Sequence, residues 1–230
     1  AYAVLARLFP GRTFDGFTPL GFVLVGVAAN GALMTALVAF AQAVRGVQAA
    51  GAIKAVLVTP APPLLVVLLS SVYPLLRATL DLVVWLVAAV CLGAPLAGLA
   101  PAPLLAAGVV FALAALAMAG FGFLSAAFAV IFKRGDPVVW LLGAISLLLG
   151  GVLYPASALP PALAALGRGL PTTHALEGMR SALLGGAGLT EVGGSVLALA
   201  GFAVIGMPLG LAALAWSIRH ARREGTLGHV

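Results

Sequence analysis

Residues 82–132 read LVVWLVAAVCLGAPLAGLAPAPLLAAGVVFALAALAMAGFGFLSAAFAVIF, and none of them carries a charge. A helix needs roughly 20 apolar residues to cross a bilayer, so this run is long enough for two crossings. The glycines and prolines between residues 93 and 103 mark the turn between them. Four more charge-free runs lie at residues 16–44, 55–76, 137–167 and 192–218. The pattern predicts an all-α integral membrane protein that crosses the bilayer several times.

The composition excludes a water-soluble domain. Hydrophobic residues make up 63% of the chain and charged residues only 8%, whereas soluble domains carry about 25% charged residues. The single cysteine, Cys91, excludes a disulfide framework and a thiolate metal site. The net charge is +6, but the twelve basic residues are scattered between apolar runs and form no face for nucleic acid.

We predict one transmembrane domain over residues 1–230 with five complete spans. The spans are placed at residues 19–43, 64–92, 104–131, 138–153 and 194–218. Residues 1–16 are expected to be the external tail of an earlier span, because their apolar stretch is too short to cross. Residues 46–63 form a short segment in which Thr59-Pro60 stops any helix. Residues 154–191 are too broken to span and too apolar for a solvated loop, which predicts short helices that re-enter the membrane.

Basic residues set the orientation of the spans, because Lys and Arg favour the cytoplasmic side. With the C-terminus inside, seven basic residues lie in the cytoplasm and four outside, and Arg219, Arg222 and Arg223 directly follow the last span. This count predicts a multi-pass protein of the cell (inner or cytoplasmic) membrane with a cytoplasmic C-terminus. Residues 46–63 are then cytoplasmic and residues 154–191 external.

Arg77 and Asp81 lie near the middle of the second predicted span, four residues apart on one helical face. Each charge costs about 2.5–3.5 kcal/mol at the centre of a membrane helix, so both should face protein or water. Two interpretations stay open, a polar lining of a translocation path or subunit interface, and a structural ion pair that fixes helix packing.

The other candidate motifs do not indicate a metal site or a catalytic site. His174 and Glu177 have the spacing of two metal ligands, but the chain has only three histidines and none lies nearby, so a capping or packing role is favoured. No catalytic serine elbow and no P-loop occur, so this chain does not bind ATP through such a loop. Gly206 and Gly210 form a small-xxx-small motif that allows close helix contact.

Three stretches carry a resemblance to a known family: GAIKAVLVTP at 51–60, GVLYPASALP at 151–160 and LPTTHALEGMR at 170–180. Together they resemble the membrane (permease) subunit of type-2 ATP-binding-cassette exporters, a family of drug, lipo-oligosaccharide and polysaccharide export permeases. The resemblance covers about residues 15–223 in the order and spacing of the spans.

The resemblance implies a six-span permease that pairs with a second copy or a homologue and with two soluble P-loop ATPase subunits. The ATPases bind ATP and magnesium, and the permease itself holds no cofactor. Residues 46–59 match the coupling helix, with Gly51, Lys54, Thr59 and Pro60 as its candidate residues, although the family often has an acidic residue where Lys54 stands. The external re-entrant segment that caps the exit has these candidates: Tyr154, Pro155, Pro160, Pro171, His174, Glu177 and Arg180. The family's first span and a preceding interfacial helix would come before the first complete span seen here.

Two other functions compete with export. A membrane-embedded enzyme acting on lipid substrates needs clustered acids or histidines, and six acidic residues scattered along the chain supply no cluster. An ion-gradient-driven transporter or channel would use Arg77 and Asp81 as a relay and would show two similar halves, but no internal repeat is visible. The apolar spans favour hydrophobic or lipid-linked cargo.

Overall fold

The computed structural model describes residues 13–49, 63–94, 96–132 and 137–223. Within these ranges the chain forms seven α-helices, one short 3-10 helix at Ala156–Ala158, and no β-strand. The α-helices are α1 (Pro19–Ala49), α2 (Pro63–Cys91), α3 (Pro101–Phe132), α4 (Pro137–Leu149), α5 (Pro161–Arg168), α6 (Pro171–Leu183) and α7 (Gly193–Arg223). The predicted all-α fold is confirmed for the described residues.

Proline and glycine set the limits of most helices. Each helix from α1 to α6 begins with a proline, whose fixed φ suits the first helical position and whose missing N–H would have no partner there. Glycine follows two of the helix ends in the left-handed region, with φ of +81° at Gly93 after α2 and +74° at Gly151 after α4. Other residues rarely adopt that conformation, so these two glycines turn the chain sharply out of the helices.

The first and last long helices extend past the predicted edges of their spans. Helix α1 continues to Ala49, beyond the predicted end at residue 43, and α7 continues to Arg223. Arginine is a good helix former, so the basic residues at these edges end the apolar run without ending the helix. Residues 46–49 of the predicted cytoplasmic segment are therefore a continuation of α1.

The bounds of α3 and α4 also differ from the predicted spans. Helix α3 begins at Pro101 instead of residue 104, because prolines are accommodated in the first turn. Helix α4 ends at Leu149 instead of residue 153, because Gly150 and Gly151 follow it and Gly151 adopts a positive φ.

Three described stretches are long and apolar enough to cross a membrane: Pro19–Gln42, Pro101–Phe132 and Gly193–Ser217. Helix α2 has 29 residues, about 43 Å at 1.5 Å per residue, and its crossing stays a prediction. Helix α4 has 13 residues, so its length of about 20 Å is less than the roughly 30 Å of a bilayer core. The structure therefore supports three of the five predicted spans by length and composition.

Helix α3 lies at the centre of the bundle. It packs most extensively against α7 and also against α1 and α6, while α2 packs mainly on α1. The buried positions of α3 are largely alanine and glycine. Lipid tails are as apolar as leucine, so small residues that let backbones approach closely favour helix association in membranes.

The closest approach of α3 and α7 occurs where glycines face each other. A Cβ added at Gly120 would lie 2.5 Å from the carbonyl carbon of Gly206, and one added at Gly210 would meet the Gly120 carbonyl oxygen. A Cβ at Gly206 itself would meet open space. The close contact expected from the Gly206–Gly210 motif is therefore present, and Gly210 is the position whose missing side chain permits it.

We expect Gly210→Ala to lower the midpoint of thermal unfolding in detergent, measured by tryptophan fluorescence. Overpacking costs about 1–3 kcal/mol, and each kcal/mol shifts the midpoint of a chain this long by about 2–4 °C. The matched control is Gly206→Ala, whose Cβ has room and which gains about 1 kcal/mol of helix propensity. Equal midpoints for the two variants would contradict the assigned contact.

Candidate functional site

The α5–α6 segment, defined as residues 154–191, is built of short helices that each start after a break. Pro155 precedes the 3-10 helix, Pro160 precedes α5, and Pro171 is the first residue of α6. Helix α6 packs against α1, α3 and α7. Most of its residues are buried, including Thr172, Thr173 and Arg180. A short polar-containing helix is thus enclosed by the long apolar ones.

Arg180 is the charged residue at the centre of this arrangement. Its side chain is only 5% exposed. Nε donates to the Phe22 carbonyl oxygen at 3.2 Å, Nη1 to that of Gly151 at 2.8 Å and Nη2 to that of Val152 at 2.9 Å. The three acceptors belong to α1 and to the two residues that close the turn after α4. One guanidinium fork therefore bonds three backbone carbonyls from two separate parts of the chain.

Burial and aromatic contact define the electrostatics of Arg180. The guanidinium carbon lies 3.4 Å from the centroid of the Phe22 ring, a cation–π contact. Burial removes the Arg180 guanidinium from water, while the charges of Asp15 and Glu177 favour its charged form. The group is still charged at neutral pH, so the carbonyl dipoles and the ring compensate a cation that has left water.

Gly26 provides the space for the guanidinium. A Cβ at this position would collide with Nη2 of Arg180 and with the carbonyl oxygen of Val152. The backbone of α1 at Gly26 therefore lies close to both the Arg180 guanidinium and the Val152 carbonyl, with no room for a side chain.

A tight turn before α1 completes the site. Phe14 and Phe17 exchange two backbone hydrogen bonds of 2.9 and 3.0 Å, and Asp15 and Gly16 between them have φ of +50° and +86°. Positive φ at both central residues is the pattern of a two-residue hairpin turn, for which Asp-Gly is a favoured pair. The Phe14 ring meets the Phe22 ring edge-on with centroids 5.7 Å apart. The Ser157 hydroxyl donates to Asp15 at 3.2 Å, so the turn is also tied to the α5–α6 segment.

The other predicted residues of this segment have packing contacts. The Tyr154 hydroxyl donates to the Leu148 carbonyl at the end of α4. His174 Nε2 lies 2.9 Å from the Arg168 carbonyl at the end of α5, and its ring centroid is 6.0 Å from that of Phe202. Glu177 is exposed. No group of three or more potential metal ligands occurs among the described residues. The capping or packing role of His174 stays a prediction, and the two contacts of its ring are of that kind.

Arg77 and Asp81 lie elsewhere. Both are exposed on α2, whereas the next residues, Ala78 and Leu82, about 100° around the helix, are buried. Helix α2 packs mainly on α1. The structure does not bring this pair to Arg180. The coupling candidates Gly51, Lys54, Thr59 and Pro60 lie outside the described residues.

A second feature is a polar stripe on α1, which we define as positions 27, 30, 31, 34, 35, 38 and 42. These are the only positions between Gly21 and Gln42 that are not buried, and at 100° per residue they form one face of the helix. Asn30, Thr35 and Gln42, all on this stripe, are the only hydrogen-bonding side chains in Pro19–Gln42. The Thr35 hydroxyl bonds the Gly31 carbonyl at 3.0 Å. Asn30 Oδ1 is buried and finds no hydrogen-bond partner in the described part of the chain.

Sequence reasoning missed Asp15, Phe22, Gly26 and Asn30 as site residues. The Asp15-Gly16 pair was a readable turn signal. The roles of Phe22 and Gly26 had no local signal, because they depend on a side chain more than 150 positions away.

The chain matches a known family model. The model is described as ABC-2 type transporter, and it matches residues 3–184, about four fifths of the chain. The matched part includes α1 to α6 and therefore the whole Arg180 site and the polar stripe. No curated protein sequence matches the chain.

We expect Gly26→Ala to lower the midpoint of thermal unfolding in detergent, because the new methyl group must displace the Arg180 fork. Each hydrogen bond to a charged group contributes about 1.5–3 kcal/mol, so the loss should be clear. Gly31→Ala is the control on the same helix, where a Cβ would meet nothing within 4 Å. If Gly26→Ala and Gly31→Ala unfold at the same midpoint, the assigned contact between Gly26 and Arg180 is wrong.

Proposed function

The chain belongs to the ABC-2 type transporter family, and from that premise we propose that it is the permease subunit of an ATP-driven exporter. It forms the translocation path, pairs with a second copy or a homologue, and is driven by a separate soluble ATPase. The proposed cargo is a hydrophobic drug or a lipid-linked or saccharide molecule, in keeping with the apolar spans.

The observation that carries this proposal is the polar stripe on α1. All the hydrogen-bonding side chains of Pro19–Gln42 fall on the one face that this chain leaves only partly covered. A face of this kind is unfavourable against lipid, which offers no hydrogen bonds. It suits a face that meets water, cargo or a second subunit.

Asn30 sharpens this argument. A buried polar group without a partner costs about 1–3 kcal/mol, and polar groups inside membranes are mostly functional. Asn30 lies eleven residues after Pro19, about 16 Å along the helix and so near the middle of the span. Substrate sites of many transporters lie near the bilayer midplane. We infer that the Asn30 oxygen, which this chain covers without bonding, accepts a hydrogen bond from cargo or from the partner permease when the helices beside it move apart in the transport cycle.

The placement of α6 supports a re-entrant segment at one end of this path. The Gly98 amide donates to the Leu183 carbonyl at 2.9 Å, so the end of α6 lies where α3 begins. At its other end, His174 lies beside Phe202, which is nine residues into α7 and about 13 Å from the start of that helix. In the proposed topology, α6 therefore extends between the external surface and the interior of the bundle, as a re-entrant helix that caps the exit would.

The energy source is proposed to be a partner. The sequence contains no P-loop, so ATP and magnesium are bound by the ATPase subunit. Residues 46–63 are the proposed coupling segment, and nucleotide-driven closure of the ATPase pair would move them and tilt the adjoining helices. Such a shift requires the nucleotide to favour one state. The C-terminus and this segment face the cytoplasm of the cell membrane in this proposal.

We expect a co-expressed partner ATPase to be retained on membranes by the chain. This retention should be lost when residues 51–59 are replaced by a Gly-Ser linker of equal length. The physical reason is that this segment supplies the docking contact. The measurement is the membrane-bound fraction of the co-expressed ATPase. A variant of the α5–α6 segment, Glu191→Gln, is the control and should retain the ATPase. Retention by the linker variant would overturn the assigned coupling segment.

We also expect water to reach the polar stripe in the assembled complex. In a Cys91→Ser background, Asn30→Cys and Thr35→Cys should react with a charged, water-soluble methanethiosulfonate reagent at least tenfold faster than Leu197→Cys. Leu197 is 75% exposed on α7 and should face lipid, where the thiolate that reacts does not form. Equal rates at the three positions would argue against a path along α1.

A further inference from the structure

Arg180 joins parts of the chain that are far apart in sequence. Its own helix is α6, one acceptor is Phe22 in the first turns of α1, and the other two are Gly151 and Val152 after α4. The first turns of α1, the chain after α4 and α6 therefore meet at one buried cation. We call these three parts, together with the turn at residues 14–17 before α1, the outer unit.

We propose that Arg180 is the positioning residue that makes the outer unit move as one rigid body during the transport cycle, so that the exit opens between subunits and not between α1 and α6. This inference rests on the proposed export function. It gives Arg180 a mechanical role, and it locates the surfaces that separate during transport between the outer unit and the second subunit.

The chemistry of the fork favours this assignment. A guanidinium holds its donors in a fixed plane, so three bonds to three carbonyls fix both distance and direction. Separation of α1 from α6 would leave a buried cation and at least one buried carbonyl without partners, in a setting with little water to replace them. Surfaces held only by apolar side chains separate without that penalty.

Independent contacts join the same parts. The Ser157–Asp15 hydrogen bond of 3.2 Å ties the turn before α1 to the 3-10 helix that follows the Arg180 acceptors. The backbone of α1 at Gly26 lies against the Val152 carbonyl with no room for a Cβ. These contacts lie on the same boundary as the fork and would all have to break together.

The polar stripe lies on the other side of α1, which this chain covers only in part. At 100° per residue, Phe22 lies about 160° around the helix from the centre of the polar stripe. The Arg180 contacts therefore hold α1 on the side opposite to the polar stripe. The stripe itself faces the proposed translocation path. A rigid outer unit can move away from the second subunit without a change inside the fork.

The test is a cross-link across the outer unit. Asp15→Cys and Ser157→Cys are introduced together in a Cys91→Ser chain, and the complex with its ATPase is reconstituted in proteoliposomes. A short bifunctional methanethiosulfonate reagent is applied without nucleotide and after trapping with ATP and vanadate. With Arg180 present, we expect cross-linking yields within about twofold of each other in the two states. A fivefold difference between the states would overturn the proposal.

Arg180→Gln and Arg180→Lys test the residue itself in the same double-cysteine chain. Lysine keeps the charge but lacks the planar fork, so we expect both variants to give cross-linking that differs at least fivefold between the two states. A purely structural role would lower the amount of assembled complex without making the yield depend on the nucleotide. Yields that stay equal in both variants would overturn the role of Arg180. Should the variants fail to assemble, the comparison of states with Arg180 present still decides whether the unit is rigid.

The same samples separate this inference from the proposed function. Vanadate-sensitive ATP hydrolysis that depends on this chain shows that the exporter cycles. Hydrolysis that does not depend on the chain would overturn the proposed function itself. Hydrolysis that does, together with a state-dependent cross-link in the presence of Arg180, would overturn only the rigid outer unit.

Discussion

The arrangement of this protein depends on one buried cation that bonds backbone instead of a carboxylate. Arg180 uses three donors on the carbonyls of Phe22, Gly151 and Val152. Few water molecules are available inside a membrane bundle to satisfy such groups, so each bond is costly to lose. The fork fixes α6 against α1 and against the chain after α4. The fork acts together with the apolar side chains of α6 that pack into the core between the long helices.

The long helices were predictable because the bilayer imposes a simple rule on the sequence. Charge-free runs of sufficient length were visible without a structure, and so were the prolines that open α1 to α6. The Arg180 site was visible only as a resemblance to a family pattern. Its acceptors are backbone carbonyls, which every residue carries, so no side-chain pattern marks Phe22 or Val152 as partners. A contact between a side chain and a distant backbone leaves no trace in a single sequence.

Register explains two further differences between the sequence and the structure. The Gly206–Gly210 motif was readable, but only the rotation of α7 against Gly120 determines that Gly210 faces the contact and Gly206 does not. Asn30, Thr35 and Gln42 were equally visible, yet their meaning depends on which face of α1 the other helices cover. Helical periodicity gives relative directions on one helix, whereas the neighbours give the absolute direction.

The Arg180 contacts and the polar stripe both depend on the rotation of α1 about its own axis. A helix with one polar face in an apolar bundle lowers its energy by turning that face toward any available donor. Such a rotation would carry the Asn30 amide away from the path. Gly26 precedes Asn30 by one turn, and the two directions differ by only about 40°. The close contact between Gly26 and the Arg180 guanidinium therefore fixes the rotation of α1 about its own axis. As a result, the Asn30 oxygen points in a direction where no group of the described chain donates a hydrogen bond to it.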